Sequence, residues 1–177
     1  MPVDHLWATW RSSYVQGGSD RAQAVAPAGD GRSLFERILA AGADGSADDR
    51  ELGVVLRGQH CFVLLNRFPY TSGHLMVLPN RAVAELEALS AQEHDELWAL
   101  VRNSVVALKA GFGCDAINVG INLGQAAGGS QSDHLHVHCV PRWTGDANFM
   151  TVAAETRVLP VPLDEAFDRL RAAWPGQ

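Results

Sequence analysis

Three histidines alternating with apolar residues, His134-Leu-His136-Val-His138-Cys, constrain this chain more than any other feature. In an extended strand successive side chains leave opposite faces. His134, His136 and His138 therefore share one face, while Leu135, Val137 and Cys139 share the other. The apolar face is ordinary sheet core, but the histidine face is not. Seven histidines scattered by composition would not set three imidazoles in a row at intervals of about 6 to 7 Å. Such a face is a hydrogen-bonded polar surface, a metal site, or a nucleophilic imidazole with two histidine helpers.

The rest of the chain supplies the frame. Residues 61–65, 75–78, 116–123 and 134–141 are strand-like runs, and Asn66-Arg-Phe-Pro-Tyr-Thr-Ser-Gly-His74 joins the first two as a wide hairpin loop with turn residues Pro69 and Gly73. Ser33 with Glu36 forms a capping-box pattern ahead of Leu34, Phe35, Ile38 and Leu39, a short amphipathic helix. Between residues 83 and 109 the apolar spacing is helical, and Ser90 with Glu93 resets the cap, so one short and one long helix are expected, with Gly111 and Gly113 at the C-terminal end. Residues 163–174 predict a terminal helix after Pro160-Val-Pro162. The elements predict an α+β fold: an antiparallel sheet of about five strands with one long and several short helices, packed on one face. Residues 1–32 form an N-terminal arm whose Trp7, Trp10 and Tyr14 suit packing on the domain or on a partner subunit, and residues 33–177 form the domain.

Composition narrows the partners. With 47% hydrophobic residues in 177, the chain can build one sizeable core. A formal charge of −6 argues against a broad footprint for nucleic acid or an anionic membrane, so a polyanion must be held by a local pocket. The opening residues carry no continuous apolar run, and no segment is apolar enough to span a bilayer, so a cytoplasmic protein is expected. Cys61, Cys114 and Cys139 show no CxxC spacing and read as reduced thiols.

The loop ahead of the histidine run selects among the three readings. Gly128-Gly129-Ser130 offers backbone N–H groups free to converge on an anion, with the Ser130 hydroxyl as a further donor. Phosphoryl chemistry needs such a cradle and a metal site does not. A metal site would usually add a carboxylate or thiolate at ligand spacing, and Asp133 falls on the opposite strand face if the strand begins there.

Taken together, these residues resemble the histidine triad superfamily of nucleotide hydrolases and transferases. The likeness extends over the hairpin from Asn66 to Arg81, the run Asn118-Val-Gly-Ile-Asn122-Leu-Gly, and the segment from Pro141 through Trp143 to Phe149, and spans residues 52–174. In its finer detail the chain is similar to the actinobacterial diadenosine tetraphosphate phosphorylase branch. The resemblance implies that His136 is the nucleophile, that the carbonyl of His134 fixes its tautomer, and that His138 lies near the leaving-group oxygens, with His74 completing the cluster. It also implies that Asn122, Gly129 and Ser130 hold phosphate oxygens, that Asn66 contacts ribose or shapes its loop, and that no metal or cofactor is required. The loop Gly-Gly-Ser-Gln-Ser-Asp133 is one residue longer than in many members, a form associated with inorganic phosphate as second nucleophile. Uridylyltransferase relatives carry glutamine where this chain has His138. Expected partners are a dinucleoside polyphosphate or another adenylate, inorganic phosphate, and further copies in a homodimer or homotetramer joined through the hairpin and long helix. The neighbouring readings are a hydrolase or phosphorylase of adenylyl sulfate or a nucleoside phosphoramidate, and a nucleotide-binding protein without turnover.

Trp143 and Phe149 could contact a nucleotide or could equally be packing residues. His94 among Gln92, Glu93 and Asp95 reads as a surface residue, and His5 and His60 stand apart from any constellation. Cys139 faces away from the histidines by strand parity.

Overall fold

In the computed structural model, residues 31–128, 131–146 and 159–176 are described. Residues 1–30 of the N-terminal arm, Gly129, Ser130 and Phe149 therefore lie outside the described residues. Helices α1 (Leu34–Ala43) and α2 (Asp49–Leu52) precede three strands, β1 (Val54–Arg57), β2 (Cys61–Leu65) and β3 (Leu75–Pro79). After a 3-10 turn at Leu86–Ala88 come the long helix α3 (Ala91–Phe112), β4 (Ala116–Ile121), β5 (Val137–Arg142) and α4 (Leu163–Ala172). The strands form one antiparallel sheet in the order β1-β2-β3-β5-β4.

Both capping boxes are present: each N-cap serine, Ser33 and Ser90, accepts from the backbone three residues on, and Glu36 and Glu93 reach back to the cap N–H. Helix α3 ends at Gly113, whose φ of 57° is the left-handed conformation that a glycine adopts at least cost. Gly111 lies inside the helix.

Strands β2 and β3 are buried at every position, which requires cover on both faces of the sheet. Val63, Leu65, Leu75, Val77, Val137 and Cys139 meet α3 and α4 through Leu97, Leu100, Leu108, Phe167 and Leu170. The alternate residues Phe62, Leu64, Met76 and Leu78 meet Phe35, Ile38 and Leu39 of α1. The expectation of helices on one face is thus corrected. Continuous apolar runs leave two greasy faces, and the stripe Phe35, Ile38, Leu39 closes the second. The strand at Val54–Arg57 was not legible as a separate run: it has four residues between Gly53 and Gly58, with an irregular register between Val54 and Leu56.

Among the described residues no helix is long and apolar enough to cross a membrane. All three cysteines are free; Cys61 and Cys139 are buried in the core and Cys114 is half-buried.

Candidate active site

The histidine run enters β5 rather than lying wholly within it. His138 belongs to the strand, directly opposite Met76 of β3 and Gly120 of β4, whereas His134 and His136 precede the first strand residue. The parity prediction holds, since Leu135, Val137 and Cys139 face the α3 side. The even spacing of about 6 to 7 Å expected for a flat strand does not hold. The His136 and His138 ring centroids lie 4.8 Å apart with planes at 83°.

His136 retains 8% exposure. Its Nδ1 lies 2.9 Å from the carbonyl oxygen of His134. A carbonyl can only accept, so Nδ1 carries the proton and Nε2 is left with its lone pair. Burial is the main cause that lowers its pKa, partly opposed by that hydrogen bond and by the charge of Asp133, so the ring is neutral near pH 7. These are the properties of a nucleophilic imidazole.

The hairpin supplies the second part. His74, fully buried at the end of the loop, receives the Tyr70 backbone N–H and the Asn66 side-chain amide, each 3.2 Å from its Nδ1. With Nδ1 accepting, Nε2 carries the proton and donates to Nδ1 of His138 over 3.0 Å. His138 must then hold its own proton on Nε2, a buried atom without a hydrogen-bond partner among the described residues. A donor held this way beside His136 can serve an anionic oxygen. Burial, and then the neighbouring His136, pushes the pKa of His138 down to about 4. Tyr70 stacks at a tilt on His74 with ring centroids 4.6 Å apart. The Thr71 hydroxyl donates to the Pro141 carbonyl at 2.7 Å and ties this loop to β5.

His134 is placed differently from the other two. It is fully buried, and both ring nitrogens are engaged inside the protein: Nε2 lies 2.8 Å from the Pro79 carbonyl and Nδ1 2.7 Å from the Ser33 hydroxyl. Phe35 packs against both His134 and His136, at centroid distances of 5.3 and 5.7 Å. Sequence reading gave Ser33 and Phe35 only helix roles, because nothing in a helix cap announces a partner 101 residues away.

The structure thus brings His74, His134, His136, His138 and Asn66 together. Asn66 turns toward His74, and its Oδ1 accepts the Phe68 backbone N–H at 2.9 Å. Asn122 follows β4 directly and is half-buried. Trp143 packs edge-on against Phe112 with centroids 6.5 Å apart.

These titrations predict how stability depends on pH. His138, His136 and His134 all have folded pKa values below the ordinary 6.5, so between about pH 6.5 and 4 the unfolded chain binds more protons than the folded one. The resulting stability is complete above pH 6.5 and is lost as pH falls toward 4. Urea denaturation at pH 7.5, 6 and 5 should show a midpoint that falls steadily, with a shallower fall in His138→Gln.

A model of the HIT domain matches residues 49–145. The AP-4-A phosphorylase of Mycobacterium tuberculosis is 37% identical over 175 residues, covering 99% of this chain and 86% of that protein. The asymmetrical bis(5'-nucleosyl)-tetraphosphatase of Schizosaccharomyces pombe is also 37% identical, over 46% of this chain and 44% of its own length. Among solved structures, a zinc-bound histidine triad family protein from Mycobacterium smegmatis superposes with a TM-score of 0.60 at 26% identity, covering 77% of this chain and 91% of that one. A HIT-like protein from Bartonella henselae superposes at 0.58 with 22% identity, covering 77% and 95% respectively.

Proposed function

We propose that this chain, which belongs to the HIT domain family, cleaves diadenosine tetraphosphate with inorganic phosphate to give ADP and ATP, through a covalent adenylyl-His136. The carrying observation is the 2.9 Å hydrogen bond from Nδ1 of His136 to the His134 carbonyl, which leaves Nε2 as a neutral nucleophile. The choice of substrate is supported by similarity to AP-4-A phosphorylase over 99% of the chain.

The reaction runs as two displacements at one phosphorus. The Nε2 lone pair of His136 attacks the α-phosphorus. The P–O bond to the remaining polyphosphate breaks, its electron pair stays on the departing oxygen, and ATP leaves. The His134 carbonyl, accepting from Nδ1–H, steadies the positive charge that the ring gains. His138 donates its Nε2–H toward the departing oxygen, and Asn122, Gly129 and Ser130 hold the non-bridging oxygens where charge develops. A phosphate oxygen then attacks the same phosphorus, the P–N bond breaks with its pair returning to Nε2, and ADP leaves.

The enzyme works in the cytoplasm, consistent with three free thiols. It works as a homodimer or homotetramer. Strand β4 is a sheet edge with Val119 43% exposed, and α3 exposes Trp98 and Val106. Light scattering should give two or four times the 19.1 kDa chain mass; a monomer at micromolar concentration would refute the assembly.

The test of the reaction is incubation with diadenosine tetraphosphate, with and without inorganic phosphate, and separation of the nucleotides by ion exchange. ADP with ATP, formed only when phosphate is present, is expected. AMP with ATP in its absence would instead mean a hydrolase, and no turnover in either case would reject this substrate.

A further inference from the structure

We infer that Ser33, the N-cap of α1, is a positioning residue for this reaction: its hydroxyl donates to Nδ1 of His134 and fixes the ring whose own carbonyl orients the nucleophile. The inference rests on the proposed function for its kinetic consequence, and on hydrogen-bond logic for the rest.

The logic begins at Pro79. Its carbonyl lies 2.8 Å from His134 Nε2 and can only accept, so that nitrogen carries the proton. Nδ1 of His134 must then accept, and its partner 2.7 Å away is the Ser33 hydroxyl, which must donate. The same oxygen accepts the Glu36 backbone N–H at 3.1 Å, so one hydroxyl caps the helix with its lone pair and holds the histidine with its proton. Glu36 completes the clamp. One carboxylate oxygen accepts Ser33 N–H at 2.8 Å and the other accepts Ala82 N–H at 3.0 Å, which fastens the start of α1 to the segment after β3. From that segment the Val83 carbonyl accepts Leu135 N–H at 2.6 Å, beside the ring itself. His134 is 0% exposed and Ser33 6%, so water cannot take the place of a missing hydroxyl without opening the site. Phe35, two residues on in the same first turn, meets the same ring edge-on. The first helix therefore sets the histidine run through a buried hydroxyl that contacts His134.

The experiment combines imidazole nitrogen NMR on the 15N-labelled full chain with steady-state kinetics on diadenosine tetraphosphate. Wild type should show His134 as a single neutral ring protonated at Nε2. Ser33→Ala should keep the proton on Nε2, where the Pro79 carbonyl holds it, but shift the Nδ1 resonance as its hydrogen bond from the Ser33 hydroxyl is lost, and lower kcat by about tenfold, with KM changed less than about twofold. Ser33→Thr should restore both readouts. Ser33→Gly keeps a serviceable cap without a hydroxyl and should behave like Ser33→Ala, which guards against failure to fold. Ser90→Ala removes the matching cap from α3 and should lower stability while leaving the His134 Nδ1 resonance and kcat unchanged. Wild-type His134 signals in both Ser33→Ala and Ser33→Gly would overturn the inference. So would failure of threonine to restore the Nδ1 resonance, or a similar kinetic loss in Ser90→Ala. If wild type itself shows no turnover, the proposed function fails, and the NMR arm still decides whether Ser33 sets the ring.

Discussion

Replacing His136 with Ala lowers turnover of diadenosine tetraphosphate by at least about four orders of magnitude, while nucleotide Kd changes by less than about tenfold. The asymmetry follows from where the ring sits. Its Nε2 makes the new bond to phosphorus, so its loss removes the covalent route entirely and leaves only polar groups around an unreacting substrate. Binding should survive, because His138 stays in β5 and is held at Nδ1 by His74, which comes from the hairpin loop. Quenched-flow mass spectrometry supplies the complementary reading. Wild type without phosphate should accumulate an adenylyl adduct on the peptide containing residues 134–138, and His136→Ala should show none. Turnover in the variant within tenfold of wild type, or an adduct on another residue, would sink the covalent role of His136.

The second large effect is on stability. Leu97→Ala should cost about 3 to 5 kcal/mol, the range for a leucine removed from a site that cannot collapse. Leu97 is fully buried in the cluster that joins α3 to Val63, Val77 and Val137 at the centre of the sheet. Strands on one side and α4 on the other hold the walls of the resulting cavity apart. Because a domain of this size has a total stability of roughly 5 to 15 kcal/mol, the loss should be plain in a urea midpoint at pH 7.5. Arg102→Ala on the same helix, where the side chain is exposed, should shift stability by no more than about 0.5 kcal/mol. Equal losses at both positions would mean that α3 is not packed as described.

How far the sequence reveals this arrangement depends on the range of the interaction. Local patterns read well. Ser33 with Glu36 and Ser90 with Glu93 are three residues apart and both boxes form, while alternation through Leu135, Val137 and Cys139 assigned the core face correctly. The contact between His136 Nδ1 and the His134 carbonyl, only two residues apart, is one that the family resemblance implied and the structure shows. Long-range partners were not. The hydroxyl of Ser33 meets His134 across 101 positions, and no periodicity encodes that. Nor did the strand at Val54–Arg57 announce its pairing with β2, since a four-residue run carries too little pattern. The double cover of the sheet follows from the unbroken apolar runs of β2 and β3, a signal present in the residues but read as a one-sided core.

The three thiols give the protein an unplanned chemical address. Burial pushes the thiols of Cys61 and Cys139 up to about 12, so at neutral pH neither supplies the thiolate that a maleimide or a peroxide attacks. Cys114 is also raised by burial, but it stands half-buried just beyond the end of α3 and meets solvent first. A dye introduced under native conditions should therefore land on that one position, away from the imidazoles, and report nucleotide binding in a protein that needs no cysteine removed beforehand.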